Sequence, residues 1–167
     1  DPRSGEIIKG HVTLGSLRVK QDYLIALGLT SPFSGDGAAS DVASRHNLSD
    51  DKVDTSKQTE MALARIRQLS AHEVGHTLGI SHNFATSEYG RESVMDYPHP
   101  LVSVKDGKIS LDNAYDVGMG VWDKYVVAYG YQEYPDAITE QQALKHLVSD
   151  ARAKGFKYQS DPDARQS

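Results

Sequence analysis

Three histidines, a glutamate and a glycine stand in one unbroken stretch, His72-Glu73-Val74-Gly75-His76-Thr77-Leu78-Gly79-Ile80-Ser81-His82. The order H-E-x-x-H-x-x-G-x-x-H is a set of spacings, each with a chemical reason. On a helix His72 and His76 are one turn apart, so both imidazoles leave the same face. Gly79 can take the left-handed backbone conformation that ends a helix and reverses the chain. That reversal brings His82 round as a third nitrogen ligand. Three protein ligands with a fourth position open are the coordination of a catalytic zinc, whereas structural zinc sites use four. Glu73 follows the first ligand directly, where its carboxylate can take a proton from water activated at the open position. Chance assembly of these five residues has odds of roughly one in 10⁴ or lower at ordinary residue frequencies. A plain surface histidine pair is therefore a poor alternative.

Downstream, Ser93-Val94-Met95-Asp96-Tyr97-Pro98 follows. Together with the long zinc motif, SVMDYP resembles the Met-turn of the metzincin zinc endopeptidases. The resemblance implies an α+β, zincin-like catalytic domain with an edge strand above the active-site helix. In that clan the methionine forms an apolar floor under the metal without ligating it, which assigns that place to Met95. Tyr97 stands two positions further on, as a tyrosine does in the astacin-like and serralysin-like branches. There the phenol approaches the metal or donates a hydrogen bond to the tetrahedral intermediate. Other branches lack it, and the alternative for Tyr97 is a packed ring with its hydroxyl satisfied by backbone.

A narrower likeness rests on GEIIKGHVTLGSLRVKQDYL, HEVGHTLGISHNFATS, SVMDYPHP and GVWDKYVVAYGY. These segments look like the catalytic region of a group of large, mostly uncharacterised bacterial zinc-dependent metallopeptidases. That likeness implies protease chemistry and export, periplasmic or extracellular, with a protein or peptide substrate. It also implies further domains of the same longer polypeptide, because metzincin catalytic domains carry more strands before the active-site helix. Only one convincing strand is legible upstream of residue 59.

The 167 residues, 38% hydrophobic, suffice for one core and one domain over 1–167. Its upper part spans 1–82, with the active-site helix at about 59–79, and its lower part spans 83–167, with the Met-turn at 93–98. A net charge of -5 without a lysine or arginine cluster argues against a nucleic-acid partner. The absence of cysteine excludes disulfides and thiolate zinc ligands. No apolar run reaches membrane-spanning length, and the N-terminus is not a signal peptide.

The elements that must position the site are legible in outline. Ile8, Val12 and Leu14 alternate with Lys9, His11 and Thr13, which predicts a half-buried strand over 6–14. By family analogy it is the cleft edge, where an extended substrate adds. Leu17 to Leu27 reads as a short helix ending at Gly28. Residues 30–58 form a long polar stretch. Its Asp50, Asp51 and Asp54 lack calcium-loop spacing and read as solvated. In the active-site helix Leu63, Ile66, Val74 and Leu78 form the expected buried stripe. Gly75 suggests close packing beneath the metal. Asp106-Gly107 between 102–104 and 108–110 is a hairpin signal. Trp122, Tyr125, Val126 and Tyr129 recur at helical spacing, with Gly130 as the stop, and read as core. A last helix starts at the capping box Thr139-x-x-Gln142 and runs to Gly155. His99 is a candidate cleft residue, whereas His11, His46 and His146 read as solvent-facing. Asn83 is a candidate loop support.

The chemistry these residues imply is zinc-dependent hydrolysis of internal peptide bonds with Glu73 as general base. A catalytically silent zinc-binding module, or a piece inactive without a missing upstream segment, is the alternative.

Overall fold

A helix of 22 residues, Ser56–Thr77, carries the first two candidate ligands near its end. Its buried positions are Gln58, Met61, Ala62, Arg65, Gln68, His72 and Gly75, which recur every three or four residues as one helical face demands. That face is mostly polar. Leu63 and Val74, expected inside, are 44% and 49% exposed, and Ile66 and Leu78 are half-buried. The buried stripe is set by the ligands and by hydrogen-bonding side chains, so apolar periodicity alone picked the wrong face.

The computed structural model describes residues 1–30, 56–97 and 99–165. Most of the polar stretch 30–58, with His46, Asp50, Asp51 and Asp54, lies outside the described residues, as does Pro98. In chain order the elements are α1 (Ser16–Thr30), α2 (Ser56–Thr77), a 3-10 helix (Phe84–Tyr89), β1 (Ser103–Lys105), β2 (Lys108–Ser110), α3 (Val121–Tyr131), α4 (Ala137–Ala153) and α5 (Asp161–Ala164). This is a helix-rich α+β fold with one small antiparallel sheet among the described residues. No helix among them is long and apolar enough to cross a membrane.

The chain forms two compact units interleaved in sequence, one of residues 14–67 and 100–116, the other of 1–13, 68–99 and 117–167. Each has its own apolar cluster. In the first unit Ala26, Met61, Leu111, Ala114 and Tyr115 pack together. Beside them the Tyr115 hydroxyl donates to Asp22 at 2.9 Å, and the Arg65 guanidinium lies 5.3 Å from the Tyr115 ring centre. Helix α1 therefore buries Asp22 and Ala26, leaves Leu17 and Leu24 exposed, and continues past Gly28 to Thr30. The hairpin pairs Ser103 with Ser110, Val104 with Ile109 and Lys105 with Lys108. Asp106 and Gly107 both have positive φ, 52° and 73°, as a two-residue type I′ turn requires.

In the second unit Ile80, Val94, Met95 and Trp122 form the cluster, with Tyr125, Val126 and Phe156 against it. Helix α3 supplies Trp122, Tyr125 and Val126 to it, as their spacing predicts, but Tyr129 at the end of that row is 51% exposed and the helix runs through Gly130 to Tyr131. Helix α4 starts two residues before Thr139. Asp136 is its cap, accepting from the Thr139 N–H at 2.8 Å and from its hydroxyl.

The strand expected over 6–14 does not form. No sheet includes these residues, and Ile8, Val12 and Leu14 are exposed. Alternation gives a strand its faces, but the ladder needs a partner strand, and the described sheet is confined to 103–110. The segment does pass over the end of α2. A Cβ placed on Gly10 would come within 2.9 Å of the Thr77 side chain.

Candidate metal centre

His72, His76 and His82 converge. The Nε2 atom of His76 lies 3.1 Å from that of His72 and 3.0 Å from that of His82. The other ring nitrogen of each is committed to oxygen. Nδ1 of His72 lies 2.6 Å from the Val94 carbonyl, and Nδ1 of His76 lies 2.8 Å from the Ile80 carbonyl. Nδ1 of His82 lies 2.9 Å from a carboxylate oxygen of Asp161. A carbonyl can only accept, so Nδ1 carries the proton in His72 and His76 and Nε2 carries the lone pair. Converging lone pairs repel unless a cation lies between them. Four-coordinate zinc at about 2.0–2.1 Å would hold its nitrogens about 3.3–3.4 Å apart, so the two pairs that share His76 need to open by only a few tenths of an ångström, and ligand atoms of all three rings lie within 4.8 Å of one another. The donor set fits the metal.

Burial pushes the His72 pKa below its ordinary 6.5. The hydrogen bond to Val94 opposes this, His76 and His82 reinforce it, and Glu73 opposes it weakly. The outcome favours the neutral imidazole, which is the form that ligates.

Each oxygen partner is itself held in place. After α2 the Ile80 N–H bonds the Gly75 carbonyl at 3.1 Å, and the Gly79 N–H bonds the His76 carbonyl at 2.9 Å. These two bonds with Gly79 at φ 82° are a Schellman cap. Gly79 therefore ends the helix and reverses the chain. The same cap aims the Ile80 carbonyl back at His76.

The Val94 carbonyl is fixed through Asp123, a residue sequence reasoning passed over. Only 1% exposed, Asp123 accepts from the Ser93 hydroxyl at 2.6 Å, the Val94 N–H at 2.9 Å and the Gly120 N–H at 2.7 Å. Ser93 Oγ in turn accepts from the Met95 N–H at 2.8 Å. One carboxylate on the first turn of α3 thus sets the backbone of Ser93-Val94-Met95. The Gln68 amide also donates to the Val94 carbonyl, at 3.2 Å. Only the N-terminal position of Asp123 in an aromatic helix hinted at this, and that position suits any acidic residue.

Met95 is 1% exposed, and its sulfur lies where a Cβ on Gly75 would sit, between the first two ligands on α2. This close approach gives Gly75 its reason, since a side chain there would overlap Met95. The Met95 carbonyl accepts from the Asn83 N–H at 3.0 Å, which ties the loop after the third ligand to the same turn. The ring of Tyr97 is 5.0 Å from that of His72 and 4.8 Å from that of His82, and the residue is 47% exposed. Glu73 is half-buried one position after His72. His99 is exposed, and so are His11 and His146, bonded to Thr13 and paired with Asp150 respectively.

The backbone joining α3 to this turn is tight. The Trp122 N–H donates to the Glu92 carbonyl at 3.0 Å, and a Cβ on Gly120 would overlap that carbonyl. Gly120→Ala is expected to lower stability by about 1–3 kcal/mol, since backbone cannot yield as a side chain end does. A denaturant midpoint equal to that of the unmodified protein would contradict the contact.

No curated protein and no solved structure matches the chain. A family model described as Met-zincin matches residues 54–167, which contain all three histidines, the methionine turn and the helix bearing Asp123. With its three-histidine cluster, the chain belongs to the Met-zincin family of metzincin-type zinc metallopeptidase domains.

Proposed function

We propose that the protein is a zinc-dependent endopeptidase in which Glu73 is the general base. The observation that carries this is the convergence of three Nε2 lone pairs, each backed by an oxygen on Nδ1, with a carboxylate next to the first ligand. Zinc held by His72, His76 and His82 would supply Lewis acidity that makes a water at the site far more acidic than in bulk.

The chain's own residues do the rest. Glu73 takes the proton as oxygen attacks the peptide carbonyl, and returns it to the nitrogen as the C–N bond breaks. One water is consumed, and a carboxylic acid and an amine result. Tyr97, beside His72 and His82, donates a hydrogen bond to the developing oxyanion. Met95 keeps the underside of the site apolar and dry. The run 6–14, which passes over the end of α2 at Gly10, offers backbone to an extended peptide.

The test is cleavage of a mixed peptide library by the zinc-loaded protein, read by mass spectrometry with and without chelator. Internal cuts abolished by chelation and restored by zinc are expected. No cuts from a protein shown to hold zinc would support the silent zinc-binding module instead.

A further inference from the structure

We infer that Asp161 is a positioning residue of the metal centre, acting through His82, and that residues 157–161 are the strap that delivers it. The inference rests on the three-histidine zinc reading and adds a residue 79 positions away from the ligand it serves.

Both carboxylate oxygens of Asp161 lie within hydrogen-bond reach of His82 Nδ1, at 3.0 and 2.9 Å. The approach is built by backbone. Asn83, fully buried, donates its amide to the Lys157 carbonyl at 2.9 Å and accepts from the Gln159 N–H at 3.0 Å. The Phe84 N–H donates to the Gln159 carbonyl at 3.0 Å. Three bonds thus fasten 157–159 to the two residues after His82. The chain then turns at Ser160, whose N–H and hydroxyl both bond Asp163, and enters α5 with Asp161 first and Pro162 next. Pro162 fixes its own φ at this start, and the turn points the Asp161 carboxylate back at the ring.

The three ligands are therefore not equivalent. His72 and His76 each lean on a neutral carbonyl, while His82 alone leans on a carboxylate. A carboxylate on Nδ1 fixes ring orientation and tautomer and raises the basicity of Nε2. It also places a negative charge behind a centre whose three ligands are all neutral. His82 sits on a loop beyond the helix, so it is the ligand with most need of an external hold.

The experiment is chelator competition for zinc on the full chain, with Asp161→Ala, Asp161→Asn and Asp163→Ala beside the unmodified protein, and cobalt(II) visible spectra of each. Asp161→Ala is expected to bind zinc about 10- to 100-fold more weakly, with Asp161→Asn between, because an amide oxygen still accepts but carries no charge. Asp163→Ala removes the Ser160 cap without touching His82 and should stay within about threefold, with an unchanged cobalt spectrum. Asp161→Ala binding zinc as the unmodified protein does would overturn the role. Equal losses in Asp161→Ala and Asp163→Ala would also overturn it, because folding of the strap and not the carboxylate would then be responsible. An unmodified chain that takes up no zinc would instead overturn the three-histidine reading itself.

Discussion

Glu73→Gln is expected to keep zinc and lose peptide hydrolysis, with turnover falling by about 10²–10⁴. Glutamine matches glutamate in shape, and Glu73 makes none of the ligand-orienting bonds, which run from His72 to Val94, His76 to Ile80 and His82 to Asp161. The metal site should survive the change. The amide has no basic oxygen at neutral pH, so the attacking water keeps its proton and the leaving amine receives none. Zinc content by elemental analysis, with cleavage of one identified peptide, separates the two effects. Retained cleavage would remove Glu73 from the mechanism, whereas lost zinc would make it part of the site's structure.

Asp123→Ala is expected to lower stability by about 3–5 kcal/mol and to weaken zinc binding by about 10- to 100-fold. The carboxylate is buried and satisfies two backbone N–H groups and one hydroxyl. Each donor left unpaired costs about 1–3 kcal/mol, a large share of a typical total of about 5–15 kcal/mol. The loss reaches the metal by a short path. Asp123 holds the Val94 N–H, the same residue's carbonyl holds His72 Nδ1, and that ring presents Nε2 to its neighbours. Asp123→Asn should fall between, because one amide oxygen still accepts while the NH₂ faces a donor. Urea unfolding of the metal-free protein and chelator competition for zinc check both arms. A variant that unfolds and binds as the unmodified protein does would show that the methionine turn holds itself.

What the sequence disclosed and what it hid divide along a physical line. The histidine cluster, the turn at Gly79 and the Asp106-Gly107 hairpin are local patterns, in which spacing along the chain maps directly onto spacing in space. The hold on His76 is local, from Ile80 inside the motif, but the holds on His72 and His82 come from elsewhere. Asp123 lies 29 residues from Val94, and Asp161 lies 79 residues from His82. No local period marks either one, and an acidic residue near a helix start has an ordinary explanation.

The errors have the same source. The recurrence of apolar residues on α2 predicts an apolar inner face, yet that face carries Arg65, Gln68 and His72. Around a metal centre polar side chains are buried with partners that hydropathy cannot see. Residues 6–14 alternate as a strand should, but alternation does not supply a neighbour.

If His72, His76 and His82 hold one zinc and leave a position open, X-ray absorption at the zinc edge of the loaded protein should read it out. Four or five nitrogen and oxygen neighbours at about 2.0–2.1 Å are expected, with outer scattering from three imidazoles and no sulfur. A sulfur neighbour at about 2.3 Å would make Met95 a ligand, and fewer than three imidazoles would break the triad. Either result would contradict the account.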